Sequence, residues 1–146
     1  MALVLYAVYT FLTVYNAGNM TTLQIQHYGI YPYVGHENFK AYMKANNKAA
    51  FAPAIVPGLL MHLLSIVLVF YRPYFMTPSE AIASLVLNVL GFFSTFKWHP
   101  PLQAEMARTG YDEAKVRRLL STNWIRTIAF ILLGLLTISI LIAAIK

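Results

Sequence analysis

Residues Ser121–Lys146 read STNWIRTIAFILLGLLTISILIAAIK and decide the fold of the chain. From Ile128 to Ile145 this stretch carries no charged side chain. A helix that crosses the hydrocarbon layer of a membrane needs about 20 mostly apolar residues, so the stretch is long enough to span it. Arg126 stands at the start of the apolar run, where an arginine either extends to lipid headgroups or turns inward to a buried partner. The direction that Arg126 takes therefore decides whether the protein has a chemical site.

The composition of the whole chain is that of a membrane protein. Of its 146 residues, 59% are hydrophobic and 11% are charged, whereas soluble domains carry roughly 25% charged residues. The length is that of one domain. The absence of cysteine excludes disulfides, thiolate metal sites and cysteine nucleophiles. The net charge of +6 fits basic cytoplasmic loops that face anionic lipid, and it does not require a nucleic acid partner.

Four apolar segments indicate four membrane helices. We expect a single domain, residues 1–146, with an all-α fold, which is an integral membrane four-helix bundle in up-down order. Short interfacial helices are expected in the two long loops. The segments cover residues 2–25, 51–71, 78–98 and 122–145. The first segment has no basic residues before its apolar run, so we interpret it as a retained membrane helix and not as a cleaved signal peptide.

The distribution of basic residues predicts the orientation of the bundle. Except for Arg72 and Lys146, all lysines and arginines lie in or beside the loops that join segments 1–2 and 3–4. Loops rich in Lys and Arg remain on the cytoplasmic side of a membrane. We therefore expect both long loops in the cytoplasm and both termini outside.

Both long loops have helical patterns of their own. In the first loop, Phe39 and Met43 share one helical face, while Lys40, Lys44 and Lys48 recur at every fourth position. This pattern predicts an amphipathic helix at the membrane surface. In the second loop, a glycine and an aspartate supply the signals that end one short helix and cap the next. They are Gly110 and Asp112.

Polar side chains within and beside the apolar segments form two layers. Asn16, His62 and Asn88 each lie near the middle of a segment. The second layer lies at the cytoplasmic end and consists of Gln26, His27, Lys97, His99, Asn123 and Arg126. Polar groups at membrane depth are costly and usually face the interior of a bundle. Their convergence predicts a pocket that opens toward the cytoplasm.

Each of these residues also has a purely structural interpretation. Asn16 and Asn88 can join helices through hydrogen bonds, and His62 can be a packed, hydrogen-bonded histidine. The basic residues of the second layer can contact lipid phosphates, and Trp124 can belong to an aromatic belt at the membrane interface.

The residue types present exclude several chemistries. No acidic residue lies in an apolar segment at the level of a histidine, and no ligand spacing such as HExxH occurs, so no metal site is predicted. A serine triad lacks its buried acid, and there is no glycine-rich phosphate loop. His27 and His99 lie at similar depth on different helices and remain an alternative pair of haem ligands. The other alternative needs no cofactor, with a histidine as base and Asn, Arg or Lys polarising a substrate oxygen.

Several short motifs together resemble a known family. They are Gln26–Tyr28, Val34–Gly35 with Phe39 and Tyr42 following, Pro53 and Pro57, Pro101–Gln103 before Gly110–Asp112, and Thr122–Thr127. The chain resembles, over nearly its whole length, a family of small four-helix bacterial membrane proteins of unassigned function. More distantly, it is similar to the anthrone-oxygenase-like membrane proteins. The resemblance implies a multi-pass protein of the bacterial inner membrane.

The distant relation also implies an activity, that of a cofactor-independent monooxygenase acting on polycyclic aromatic substrates. The residues that the resemblance places at such a site are His27, Asn123, Trp124 and Arg126. The chain departs from the family pattern in segment 2, where His62 stands in place of an expected acidic residue.

The leading hypothesis is a site for a hydrophobic small molecule, aromatic or quinone-like, near the cytoplasmic end of the bundle. Its expected catalytic residues are His27, Asn123 and Arg126. Its expected ligand-binding residues are Asn16, His62, Asn88, Lys97, His99 and Trp124. One alternative is a non-catalytic accessory subunit of a larger respiratory or photosynthetic membrane complex, and another is a b-type haem protein. A homo-oligomer is also compatible with the sequence.

Overall fold

The computed structural model describes residues 1–145, and over that range the chain is helical with no β-strand. The all-α prediction is confirmed for these residues. Lys146, one of the two basic residues assigned to the outer side, lies outside them. The α-helices are α1 (Ala2–Thr22), α2 (Phe39–Ala49), α3 (Val56–Phe70), α4 (Pro78–Thr109) and α5 (Glu113–Ile145). α1 continues into a π-helical turn (Leu23–His27) and a 3-10 helix (Tyr28–Tyr33), and a second π-helical turn (Phe51–Ile55) leads into α3.

Within residues 1–145, three helical stretches are long and apolar enough to cross a membrane, judged by length and composition. They are Phe51–Phe70, α4 and α5. α1 is expected to be a fourth span but is not one of these three. Its 21 residues mix apolar side chains with tyrosines, threonines and asparagines. Several of these polar residues, including Tyr6, Thr13 and Asn16, form its buried face.

α4 and α5 are longer than the sequence pattern predicts. α4 continues through Pro100 and Pro101 to Thr109, and α5 begins at Glu113. The prediction of two separate short helices in the second loop is therefore wrong, because these residues form the ends of α4 and α5. A proline removes its own backbone donor and crowds the preceding turn. Burial of apolar side chains beyond the prolines, such as that of Met106, offsets this cost.

The turn between α4 and α5 has the predicted signals. Gly110 ends α4 with a φ of 102°, a conformation that favours glycine. At the start of α5, the backbone N–H of Lys115 donates to Asp112 Oδ1 at 3.1 Å. Lys115 Nζ also lies 3.2 Å from Asp112 Oδ2 and 3.0 Å from Glu105 Oε1. The backbone N–H and the ammonium group of Lys115 together lower the pKa of Asp112.

α2 is the predicted amphipathic helix of the first loop. Phe39 and Met43 are fully buried on one face, while Lys40, Lys44 and Lys48 are exposed on the other. The helix packs against α4. Its apolar face thereby covers one end of the molecule.

α5 packs against both α4 and α1, and α3 contacts the same two helices. Gly91 lets the Phe130 ring of α5 pack directly against the backbone of α4, because a Cβ atom at this position would overlap the ring. One hydrophobic cluster lies between the long helices, and a second lies under α2 and the 3-10 helix. Leu23 packs against both clusters. The candidate site lies where the two clusters meet.

Candidate functional site

A cavity of about 270 Å³ lies where the end of α1, α2, the second π-helical turn, α4 and α5 come together. Tyr15 Oη and Asn19 Nδ2 on α1 donate to the Pro53 carbonyl oxygen at 2.9 and 3.2 Å. These bonds hold the second π-helical turn as one wall. The polar residues that line the cavity are Asn19, His27, Tyr28, Asn46, Thr95, His99, Gln103 and Arg126. The rest of the lining is mostly Ala, Pro, Leu and Ile.

Arg126 turns inward, and only 4% of its surface is exposed. Its Nε donates to Asn123 Oδ1. One of its terminal nitrogens, Nη2, donates to the hydroxyl oxygen of Tyr28 at 2.8 Å. Within residues 1–145, Arg126 forms no ion pair with a carboxylate. A buried guanidinium is therefore held by neutral groups alone, which is an expensive arrangement for a folded protein.

Asn123 is the residue that positions Arg126. It is fully buried, and its Oδ1 accepts from the guanidinium. Its Nδ2 donates to Gln24 Oε1 at 2.6 Å and to Thr127 Oγ1 at 3.2 Å. Both the oxygen and the nitrogen of its amide are thus bonded to protein groups. Asn123 lines neither this cavity nor the smaller one beside it.

His99 lies on α4 beside the guanidinium and is 2% exposed. Its ring is nearly parallel to that of Tyr28, with the centroids 6.2 Å apart and an interplanar angle of 19°. Neither ring nitrogen has a hydrogen-bond partner among residues 1–145. Buried polar atoms are usually hydrogen-bonded in folded proteins, so the missing partners of the His99 ring beside a cavity require an explanation.

His27 lies at the opposite side of Tyr28, on the first π-helical turn. Its Nε2 lies 3.4 Å from the Tyr31 hydroxyl, which also accepts from Asn46 Nδ2 at 3.5 Å. Burial lowers the pKa of His27, and the nearby Asn46 side chain, which can accept a hydrogen bond from the protonated ring, opposes this effect. Burial also raises the pKa of the Tyr31 hydroxyl. The neutral imidazole is therefore the favoured form of His27 at neutral pH.

The layer predicted at mid-depth is present but lies apart from the main cavity. His62 Nδ1 lies 3.1 Å from Asn88 Oδ1, and Asn88 Nδ2 donates to the Met61 carbonyl oxygen at 3.3 Å. The His62 ring stacks on Phe92 with centroids 4.4 Å apart. His62 and Asn88 thus join α3 to α4, and neither lines the cavity.

Asn16 bonds to its own helix, since its Nδ2 donates to the Leu12 carbonyl oxygen at 2.8 Å. It lines a smaller cavity of about 50 Å³ between α1, α3, α4 and α5. This smaller cavity is mostly apolar, with Phe92, Phe96 and Phe130 in its wall. The two cavities share four lining residues. They are Ala54, Ile55, Thr95 and Arg126.

Two expected ligand-binding residues lie on the outer surface. Lys97 Nζ lies 5.3 Å from the centroid of Phe93 and 5.0 Å from that of Trp98. Trp124 is 48% exposed, and its side chain lines neither cavity. Lys97 is two positions from the inward-facing His99, and Trp124 is two positions from the inward-facing Arg126. Two helical positions turn a side chain by about 200°, so Lys97 and Trp124 face the other way.

Two further residues of the site have a weaker signal in the sequence. The Tyr28 hydroxyl accepts from Arg126 and also from Gln103 Nε2, which lies 3.4 Å away. Tyr28 follows His27 directly, in a stretch whose helix type is not evident from the pattern. Gln103 lies one turn after His99, but the intervening prolines suggest that the helix ends before it.

The described residues contain no cluster of three or more His, Asp or Glu side chains able to hold a metal ion. Comparison of the chain with protein-family models, curated proteins and solved structures finds no match. The molecule is thus defined by its own geometry. Over residues 1–145 it is an all-helical protein with three helical stretches apolar enough to span a membrane, and its main cavity is lined in part by a buried arginine that has no carboxylate partner among these residues.

Proposed function

We propose that the chain is an integral membrane protein and that α1 joins the three apolar helices in a four-helix transmembrane bundle. Support comes from the outer surfaces of the helices. Large apolar side chains are exposed on all four, for example Phe11, Leu60, Phe93 and Leu135. Exposed apolar surface of this extent is unusual in a soluble monomer and usual next to lipid.

The proposed orientation places α2 and the turn between α4 and α5 in the cytoplasm. The exposed lysines of α2 and the exposed Arg117 and Arg118 all lie at that end of the molecule. Basic residues near a membrane surface are retained on the cytoplasmic side and favour anionic lipid. The bacterial inner membrane is the location proposed from the sequence resemblance.

The function we propose is binding of a hydrophobic small molecule, aromatic or quinone-like, in the main cavity. The observation that carries this proposal is the cavity itself, which has mostly apolar walls and a few polar groups gathered around Tyr28. Ligand sites generally combine apolar walls with a small number of placed polar groups. The smaller cavity beside it shares four lining residues with the main one and has Phe92, Phe96 and Phe130 in its wall.

The same groups provide the elements of a cofactor-independent oxygenase-type reaction. On this proposal, the neutral His27 acts as the base and Arg126 polarises an oxygen atom of the ligand. Asn123 acts through Arg126 as a positioning residue, because its amide does not reach the cavity. This assignment of roles keeps His27 and Arg126 as the residues on which catalysis would depend.

The first prediction tests the proposed ligand site by filling it. Ala54 lines both cavities, so Ala54→Trp should occupy the space of the ligand. Ala83→Trp, at an exposed position of α4, is the matched control. Mass spectrometry of protein purified in mild detergent should find a hydrophobic small molecule with the wild type and with Ala83→Trp. We expect its yield to fall by about tenfold or more in Ala54→Trp, as a loss of about 1.4 kcal/mol would produce.

Circular dichroism should show the same helix content in all three proteins. Equal yields of the molecule from the two variants would contradict binding in this cavity. A wild type from which no such molecule can be recovered would count against the proposal as well.

A further inference from the structure

We propose that the ligand of the main cavity carries a carboxylate group, which binds to Arg126 and Tyr28. This inference rests on the proposed function and adds the chemical class of the ligand. It follows from an imbalance between hydrogen-bond donors and acceptors around Tyr28. The imbalance has three parts, at Arg126, at Tyr28 and at His99.

Arg126 supplies a positive charge that nothing in the described protein neutralises. Its partners are the Asn123 amide oxygen and the Tyr28 hydroxyl, which are both neutral groups. Its other terminal nitrogen, Nη1, has no partner among residues 1–145, although guanidinium groups carry five donors. No Asp or Glu lines either cavity. A buried charge is tolerated when it is paired, so the missing partner is an anion.

Tyr28 contributes a donor that points to the same conclusion. Its hydroxyl oxygen accepts hydrogen bonds from Arg126 Nη2 and Gln103 Nε2. A phenol that already accepts two bonds has only its own proton left to offer. The Tyr28 hydroxyl donates to no partner among the described residues, and the Tyr28 side chain lines the cavity. An acceptor inside the cavity would complete the hydrogen bonding of both Tyr28 and Arg126.

His99 adds an unpaired imidazole beside the guanidinium. Its ring is stacked on Tyr28, and neither of its nitrogens is paired within residues 1–145. The side chain is almost completely buried next to the cavity. An imidazole in this position can offer an N–H to an anion bound beside it.

A carboxylate fits these donors better than a neutral oxygen group does. It has two oxygens with about four lone-pair sites, so it can bind Arg126 and Tyr28 at the same time. Arginine pairs with carboxylates through directed, charge-assisted hydrogen bonds. The apolar part of such a ligand can pack against Leu23, Ala54 and Ile55, which line the same cavity.

The experiment compares two compounds of equal size, 2-naphthoate and 2-naphthamide, by equilibrium dialysis against the full-length protein in mild detergent at neutral pH. We expect the wild type to bind 2-naphthoate at least about tenfold more tightly than the neutral amide, a typical gain from one charge-assisted contact. Arg126→Gln should remove this preference by weakening 2-naphthoate binding alone. Arg118→Gln, an exposed position on the same helix, is the control and should retain it.

A second variant covers the case in which Arg126→Gln does not fold. Tyr28→Phe removes only the hydroxyl and should reduce the preference for 2-naphthoate several-fold. Equal binding of the two compounds to the wild type would overturn the inference that the ligand carries a carboxylate, but it would leave the proposal of a hydrophobic ligand site in place. Binding of neither compound would overturn the carboxylate inference too, whereas recovery of a neutral copurifying molecule would still support the proposed site.

Discussion

Arg126 and Asn123 show how the chemistry of single residues is set by their neighbours in this protein. The Arg126 guanidinium is almost completely buried and is held by the Asn123 amide and the Tyr28 hydroxyl. Removing one partner from a buried charge generally costs more than the pair itself contributes, because the remaining charge is left without compensation. Asn123 is therefore as important to the site as Arg126, although only Arg126 reaches the cavity.

His27 provides a prediction at the same scale. Burial lowers its pKa in the folded state, so the unfolded chain takes up a proton first as the pH falls below about 6.5. The free energy of unfolding should therefore decrease between pH 7 and pH 5, by less than about 1.4 kcal/mol per pH unit for this one proton. Replacing His27 by Phe should reduce this decrease, as measured by thermal unfolding in detergent.

The exposed His36 provides the control for this measurement. His36→Phe should leave the decrease between pH 7 and pH 5 close to that of the wild type. Identical pH profiles for His27→Phe and the wild type would show that burial does not perturb His27. The lowered pKa of Asp112 affects stability in a separate pH window. Its stabilising contribution is present above the usual aspartate pKa and is lost as the pH falls from that value through the lowered pKa.

At the scale of the helices, the contact between α4 and α5 depends on the absence of a side chain at Gly91. A Cβ atom there would overlap the Phe130 ring, and Phe130 also forms part of the wall of the smaller cavity. We expect Gly91→Ala to lower the free energy of unfolding by about 1–3 kcal/mol, the usual cost of overpacking a core. Thermal unfolding in detergent, followed by circular dichroism, measures this change.

Gly18 on α1 is the matched control, because a Cβ atom there would meet nothing within 4 Å. Gly18→Ala should leave the protein unchanged or stabilise it by up to about 1 kcal/mol, since alanine is the better helix former. A Gly91→Ala variant as stable as Gly18→Ala would show that the two helices can separate at no cost.

At the scale of the whole molecule, the proposed orientation can be tested directly because the chain has no cysteine. Lys44 on α2 and Tyr74 between α3 and α4 are both exposed and lie at opposite ends. In intact cells, a membrane-impermeant maleimide should label Tyr74→Cys and should label Lys44→Cys only after permeabilisation. The reverse pattern would invert the orientation, and labelling of both in intact cells would contradict a transmembrane arrangement.

Features that depend only on residues close together in the sequence could be predicted from it. The helical character, the amphipathic α2, the end of α4 at Gly110 and the cap at Asp112 all follow from side-chain periodicity and local backbone preference. The lengths of α4 and α5 could not be predicted in this way. Whether a helix continues through Pro100 and Pro101 depends on what the residues beyond them bury, and that is a property of packing.

The cavity and its lining were decided by the tertiary structure. Depth along the chain placed Lys97 with His99 and Trp124 with Arg126, and helical periodicity puts the two members of each pair on opposite faces. Helix packing decided that His99 and Arg126 face the interior. Gln103 and Arg126 both reach the Tyr28 hydroxyl only because three separate parts of the chain meet at one point. A cavity is the space that packed helices leave between them, so its position depends on how they cross and not on the residue types of any one helix.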